Sequence, residues 1–169
     1  DIDTAVEEFI RYVTPIHNMC RVATEDYVIN GKRIKKGQQV LLMYSSANRD
    51  PEKFVDPEQL DVTRSPNHHI AFGFGTHFCL GASLARLEIK IFFEQLIQRV
   101  ERFSLEGAPE EMPNSFVFGL ASCPMRLTPK KCSQIIYIHP QHQKFLEIIL
   151  LSVFAGTNVP LKLVMPFLS

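Results

Sequence analysis

The stretch Ala71-Phe-Gly-Phe-Gly-Thr-His-Phe-Cys-Leu-Gly81 decides how the chain is read. It gathers three glycines, three phenylalanines, a histidine and a cysteine into eleven residues. The densest helical pattern of the sequence, about Ala82 to Val100, follows at once. There Leu84, Leu87 and Ile91 share one face, with Ala85, Ile89, Phe92 and Leu96 beside it. The width of that apolar band predicts a deeply packed helix, and Arg86, Glu94, Gln95 and Gln98 are expected on its exposed side. Cys79 therefore falls just ahead of a helix N-terminus, where unpaired N–H groups and a partial positive charge favour an anionic sulfur. Gly81 is expected to let the backbone approach that sulfur with no Cβ in the way. Gly73 and Gly75 allow the loop to bend closely around a flat, bulky object. Phe72, Phe74 and Phe78 are expected to give it an apolar wall, and His77 a polar handle.

Upstream, Thr4 to Val13 reads as a short helix. Ala5, Phe9 and Val13 recur at i, i+4 and i+8, and Pro15 prevents continuation. Arg21 to Tyr44 reads as short strands. Tyr27-Val-Ile meets Asn30-Gly31, a two-residue hairpin turn, and Lys36-Gly37 marks a second turn before Val40-Leu-Leu-Met-Tyr. Asn48 to His69 is polar, carries Pro51, Pro57 and Pro66, and is long for an irregular segment in a compact domain. Segments of that kind are functional or disordered. Downstream, strands are expected at Phe103-Ser-Leu, Phe116-Val-Phe and Cys123-Pro-Met-Arg-Leu, with Pro129 closing the piece.

A lone cysteine between apolar residues is most often an inert core side chain, and Gly-x-Gly also occurs in nucleotide loops. An apolar, glycine-bent loop delivering one thiolate at a helix start suits a haem iron with cysteine as its axial ligand. Here Phe72-x-x-Gly75-x-x-x-Cys79-x-Gly81 is fixed as a whole, and that string resembles the haem-binding loop of the cytochrome P450 family, the haem-thiolate monooxygenases. Glu8-Phe-Ile-Arg11 resembles the family's Glu-x-x-Arg on its K helix. At i and i+3 the two side chains share a face and can pair. Ala47-Asn-Arg-Asp-Pro51 and Asp56-Pro-Glu-Gln-Leu-Asp-Val-Thr-Arg64 are similar to the meander of the bacterial-type members. Many members have Arg where this chain has Gln59, so the third partner of Glu8 and Arg11 is expected to be weaker or to come from the backbone.

The resemblance covers about Ala5 to Pro129. It implies a mainly α fold with small β-sheets, the C-terminal part of the cytochrome P450 fold from the K helix through the L helix to a terminal hairpin. It implies haem b (iron protoporphyrin IX), with Cys79 as the metal ligand and with Arg21, Phe72, His77 and Gly81 as further cofactor-binding residues. Arg21 and His77 match propionate contacts, a task that suits the Arg fork. Glu8 and Arg11 would brace the proximal side. His69, in the His68-His69 pair, is expected to be structural or at the surface. Ile16 to Cys20 and Phe116 to Leu120 resemble segments on the substrate side, although Phe116 and Phe118 are equally explained as core strand residues.

The implied activity is insertion of one atom of O2 into a small organic substrate, with electrons from a redox partner such as a ferredoxin or flavodoxin. No Ala/Gly-Gly-x-x-Thr segment precedes Glu8, so residues 1–129 are expected to be a fragment that is inactive alone. The competing readings are a non-catalytic remnant and a thiol-bearing interaction module without haem. Residues 130–169 form an atypical tail, expected to lie outside the family fold.

Composition excludes several other classes. The chain has 169 residues, 46% hydrophobic and 21% charged, which argues against disorder. Eighteen basic residues balance eighteen acidic ones, so no basic field points to nucleic acid or an anionic membrane. No apolar run approaches the roughly 18 residues of a membrane span. The N-terminal Asp-Ile-Asp-Thr-Ala-Val-Glu-Glu lacks the basic and apolar regions of an export signal. None of the cysteines Cys20, Cys79, Cys123 and Cys132 forms a Cys-x-x-Cys pair, so free thiols and a cytoplasmic setting are expected. Cys132 with His139-x-x-His142 lacks a fourth ligand for a zinc site.

Overall fold

The structure, a computed structural model, describes residues 1–130. Helix α1 spans Ile2–Val13 and is capped by Asp1, whose carboxylate accepts the Asp3 N–H at 3.1 Å. It ends on Thr14, held at φ 42, and its stripe Val6, Phe9, Ile10 is buried. That stripe packs on α3, Ala82–Arg99, through Ile89 and Phe93, with Ala71 closing the same cluster. The Phe9 and Phe93 ring centroids lie 4.6 Å apart. Each such side chain contributes about 1.5–3 kcal/mol by leaving water.

Between the helices the chain makes small antiparallel pairs. β1 (Asn18–Val22) pairs with β4 (Gln39–Met43), placing Arg21 opposite Val40. β2 (Tyr27–Ile29) and β3 (Lys32–Ile34) form a hairpin across Asn30-Gly31. Both turn residues have positive φ, 47 and 75, as a turn twisted to match its strands requires. A short helix α2 covers Tyr44–Ala47. After α3, β5 (Val100–Leu105) pairs with β8 (Met125–Pro129), and β6 (Glu110–Glu111) with β7 (Leu120–Ser122). Leu120 and Met125 form a second small core with Phe103 and Leu105.

Two expectations change. Phe116-Val-Phe is no strand of its own: it makes a single bridge, Val117 opposite Ile16, with His17 N–H donating to the Phe116 carbonyl and Phe118 N–H to that of Pro15. Pro15 has no N–H to donate, and Pro113 and Pro124 interrupt the chain on either side of this piece. Helix α3 is also not packed all round. Ala82, Ile89 and Phe93 are its buried residues, while Leu84, Leu87 and Ile91, the expected core face, are about half exposed. Among the described residues, α1 is the helix that contacts α3, and it covers a narrow stripe.

Candidate functional site

The segment from Asn48 to His69 is ordered, and it is arranged around Glu8 and Arg11. Both side chains are completely buried. Arg11 donates Nε and Nη2 to the two Glu8 oxygens, each at 2.8 Å. Its remaining N–H groups reach the carbonyls of Asn48, Pro57 and Gln59. Glu8 accepts further from the Asp61 N–H, from Asn67 and from Arg64 Nε at 3.1 Å. Burial pushes its carboxyl up, and the hydrogen bonds from Arg11 and Asp61 more than reverse that, leaving it below the usual range. The third partner is therefore not weak. Gln59 supplies a carbonyl, as the backbone alternative expects, and Arg64 supplies a cation from five residues further on. Asn48 ties this network to the cysteine loop, because its Oδ1 accepts the Ile70 N–H at 2.8 Å and its Nδ2 donates to Thr14.

The loop itself is shaped by its own backbone. The Cys79 N–H donates to the Phe72 carbonyl at 2.8 Å and the Phe78 N–H to that of Gly75, across a 3-10 turn at Gly75–His77. Gly73 has φ 77, and a Cβ there would stand 3.2 Å from the His77 carbonyl oxygen, so glycine is required twice over. Gly81 is different. Its φ is −82, and a Cβ would meet the Cys79 sulfur at 3.9 Å, an ordinary contact. The reason expected for Gly81, crowding by the sulfur, is not the one the structure gives.

Cys79 opens into a cavity of about 580 Å³. The loop contributes Phe72, Gly73, His77, Cys79 and Gly81, and α3 contributes Leu84, Ala85, Glu88 and Ile89. Met19 and Arg21 enter from β1, and the Ile16–Val117 bridge forms another wall. Arg21, distant in sequence, thus lines one space with the loop residues His77 and Cys79. Arg21 donates to the Cys20 carbonyl at 2.9 Å and makes no ion pair among the described residues. Val117, rather than Phe116 or Phe118, faces the cavity; Phe118 stacks on His17 at 5.9 Å. Phe74 and Phe78, expected as walls, are 84% and 52% exposed and do not line it.

His69 is structural: its side chain is buried and its Nε2 lies 3.0 Å from Glu7 Oε2. Arg86, expected in solvent, instead pairs with Glu7. No cluster of metal-ligating side chains occurs among the described residues, and the Cys132, His139, His142 set lies outside them. No described helix is long and apolar enough to cross a membrane.

A single sulfur at a helix start, facing an apolar cavity with a guanidinium and an imidazole on its wall, is the donor set of a haem-thiolate site. The residues present fit that group: one soft ligand, apolar surfaces, and two groups able to meet carboxylates. Residues 2–130 match the cytochrome P450 family, and the chain belongs to it. It is 42% identical over 127 residues to cytochrome P450-terp of Pseudomonas sp, covering 75% of this chain and 30% of that one. It is 48% identical over 131 residues to the polyketide biosynthesis cytochrome P450 PksS of Bacillus subtilis, covering 75% and 32%. Among solved structures, P450BioI in complex with an acyl carrier protein ligated to hexadec-9Z-enoic acid superposes with a TM-score of 0.73 at 44% identity, over 75% of this chain and 33% of that one. The chain spans about a third of the length of these relatives. The fold is that part of the cytochrome P450 fold, and membership implies a haem with a cysteine thiolate ligand.

Proposed function

We propose that the protein serves a haem-thiolate monooxygenase, and that residues 1–129 form the part of the domain that holds haem b. Cys79 would ligate the iron, Arg21 and His77 would pair with the propionates, and Phe72 and Gly81 would flank the ring. The observation that carries this reading is the convergence of Cys79, Arg21 and His77 on one cavity. When bound, haem with a thiolate ligand supplies O2 activation for insertion of one oxygen atom into an organic substrate. The chain's own residues position the cysteine and line part of the cavity. The Phe72 carbonyl fixes the backbone N–H of Cys79. The apolar wall of Ile16, Met19 and Val117 excludes water and receives the apolar part of a small organic substrate.

Electrons would come from a ferredoxin or flavodoxin, and the exposed free thiol of Cys20 suits a cytoplasmic setting. Lys130 still donates its N–H to the Arg99 carbonyl, and residues 131–169 are proposed to lie outside this domain. The test is oxidation under isotopically labelled O2, with a reduced ferredoxin or flavodoxin, by the haem-loaded chain alone and by the chain joined to the upstream two thirds of a cytochrome P450 relative. Product carrying a single labelled oxygen is expected from the joined protein and none from the chain alone. Product oxygen derived from water, or no oxidation by the joined protein above a free-haem control, would overturn the proposal.

A further inference from the structure

Glu7 and Glu8 are neighbours in sequence and serve different partners. Glu8 faces the 48–69 segment, whereas Glu7 faces α3. Arg86 Nε and Nη2 donate to the two Glu7 oxygens at 2.5 and 2.9 Å. His69 completes the group: its Nδ1 accepts the Ala71 N–H at 3.3 Å, which assigns the proton to Nε2, the atom facing Glu7. Burial pushes the Glu7 carboxyl up, but the hydrogen bonds from His69 and Arg86 outweigh it and hold the carboxyl at about 2, so Glu7 is an anion at neutral pH.

Fastened in this way, the Arg86 guanidinium lies over the Phe72 ring, 4.7 Å from its centroid. A cation over an aromatic face contributes about 0.5–2 kcal/mol, most when it is desolvated. The same ring is packed edge-on by Phe78 and tilted against His69. Phe72 is also the residue whose carbonyl accepts the Cys79 N–H. The contacts run without a gap from Glu7 on α1, through Arg86 on α3, to Phe72 and the backbone of the cysteine. Neither the Glu8 network nor the cavity wall accounts for this arrangement, and a surface pair would not need a planar fork gripped on one side and stacked on the other.

We propose that Arg86 is a positioning residue for the iron ligand: clamped by Glu7 and His69, it fixes the Phe72 ring and through it the place of Cys79 beside the cavity. The inference rests on the haem-thiolate reading above. It differs from a helix–helix brace in its consequence. A brace affects stability alone, whereas a positioning residue affects the electronic state of the bound iron. It differs from a remote charge effect as well, since lysine keeps the charge and loses both the fork and the stack.

The experiment uses the haem-loaded full-length protein and its Arg86→Lys, Arg86→Gln and Glu7→Gln variants. The readouts are the ferrous-carbonyl spectrum, the midpoint potential and thermal unfolding. Both Arg86 variants should lose part of the thiolate-type band and shift the midpoint potential in the same direction. Glu7→Gln, which keeps the side-chain shape and only loosens Arg86, should give a smaller shift of the same sign, and it carries the comparison should an Arg86 variant fail to load haem. Arg86→Lys matching the parent in spectrum and potential would overturn the proposal, as would variants that lower the unfolding temperature and change nothing else. A parent protein without a thiolate-type band would overturn the haem-thiolate reading and this proposal with it. A parent with the band and unmoved variants overturns this proposal alone.

Discussion

The Glu8–Arg11 network sits on α1 and the Cys79 loop leads into α3, and the two are built on opposite rules. Glu8 and Arg11 have no exposed surface, and each is held by several partners within the chain. The loop is exposed from Phe74 to Gly81 and is shaped by backbone hydrogen bonds and by glycines of positive φ. A buried ion pair tolerates nothing missing, because a single lost partner strands a charge away from water. A loop tolerates much at its tip and little at the residues that set its bend. The difference separates what folds the protein from what presents the sulfur, and it can be tested from both sides.

The largest effect is expected at Glu8. Glu8→Ala leaves Arg11 without its bidentate partner and removes the carboxylate of Arg64, and should cost about 3–5 kcal/mol in denaturant unfolding. A loss below about 1 kcal/mol would mean that the meander carbonyls alone satisfy Arg11, and the contrast would collapse.

Next is Glu7. Its folded carboxyl sits at about 2 against an ordinary 4.5, so the stabilisation is complete above pH 4.5 and is lost as pH falls towards 2. The side chain is 29% exposed, which reduces the effect to about 1–3 kcal/mol. Glu8 contributes a slope of the same sign. The difference between the parent and Glu7→Gln across that window isolates Glu7, and the two curves should converge at the acid end. Parallel curves would show that Glu7 has no depressed carboxyl.

Within the loop, the two glycines that flank its ends should part company. Gly73→Ala meets both an unfavourable φ and a close carbonyl, and should cost about 1–3 kcal/mol. Gly81→Ala meets ordinary contacts, and should stay within about 0.5 kcal/mol. Equal losses would refute the account of how the loop is bent. The smallest effect is expected from the tail. Deleting residues 131–169 should change unfolding by less than about 1 kcal/mol, and a loss of several would place the tail inside the domain.

Local features were legible in the sequence. Pro15 and the i, i+4 spacing located α1, Asn30-Gly31 located a hairpin, and the glycine pattern picked out the loop before α3. What was not legible depends on partners distant in the chain. The buried face of α3 is decided by where α1 lies against it, and an apolar band this wide does not say which stripe wins. Arg64 lies 56 residues from Glu8 and Arg86 lies 79 from Glu7, so no periodicity links them. The meeting of Ile16 with Val117 is equally remote, and one bridge leaves no alternating pattern to read. Exposed Phe74 and Phe78 show the limit of composition: three phenylalanines around a cysteine suggest a wall, and one of them, Phe72, lines the cavity.

The central claim is that Cys79 presents the iron ligand. The direct measurement is the ferrous-carbonyl spectrum of the haem-loaded protein beside its Cys79→Ser, Cys20→Ser, Cys123→Ser and Cys132→Ser variants. The thiolate-type band should disappear in Cys79→Ser, since a hydroxyl donates far less charge to iron than a thiolate does, and it should persist in the other three. A band that survives in Cys79→Ser, or vanishes equally in another single variant, would contradict the account.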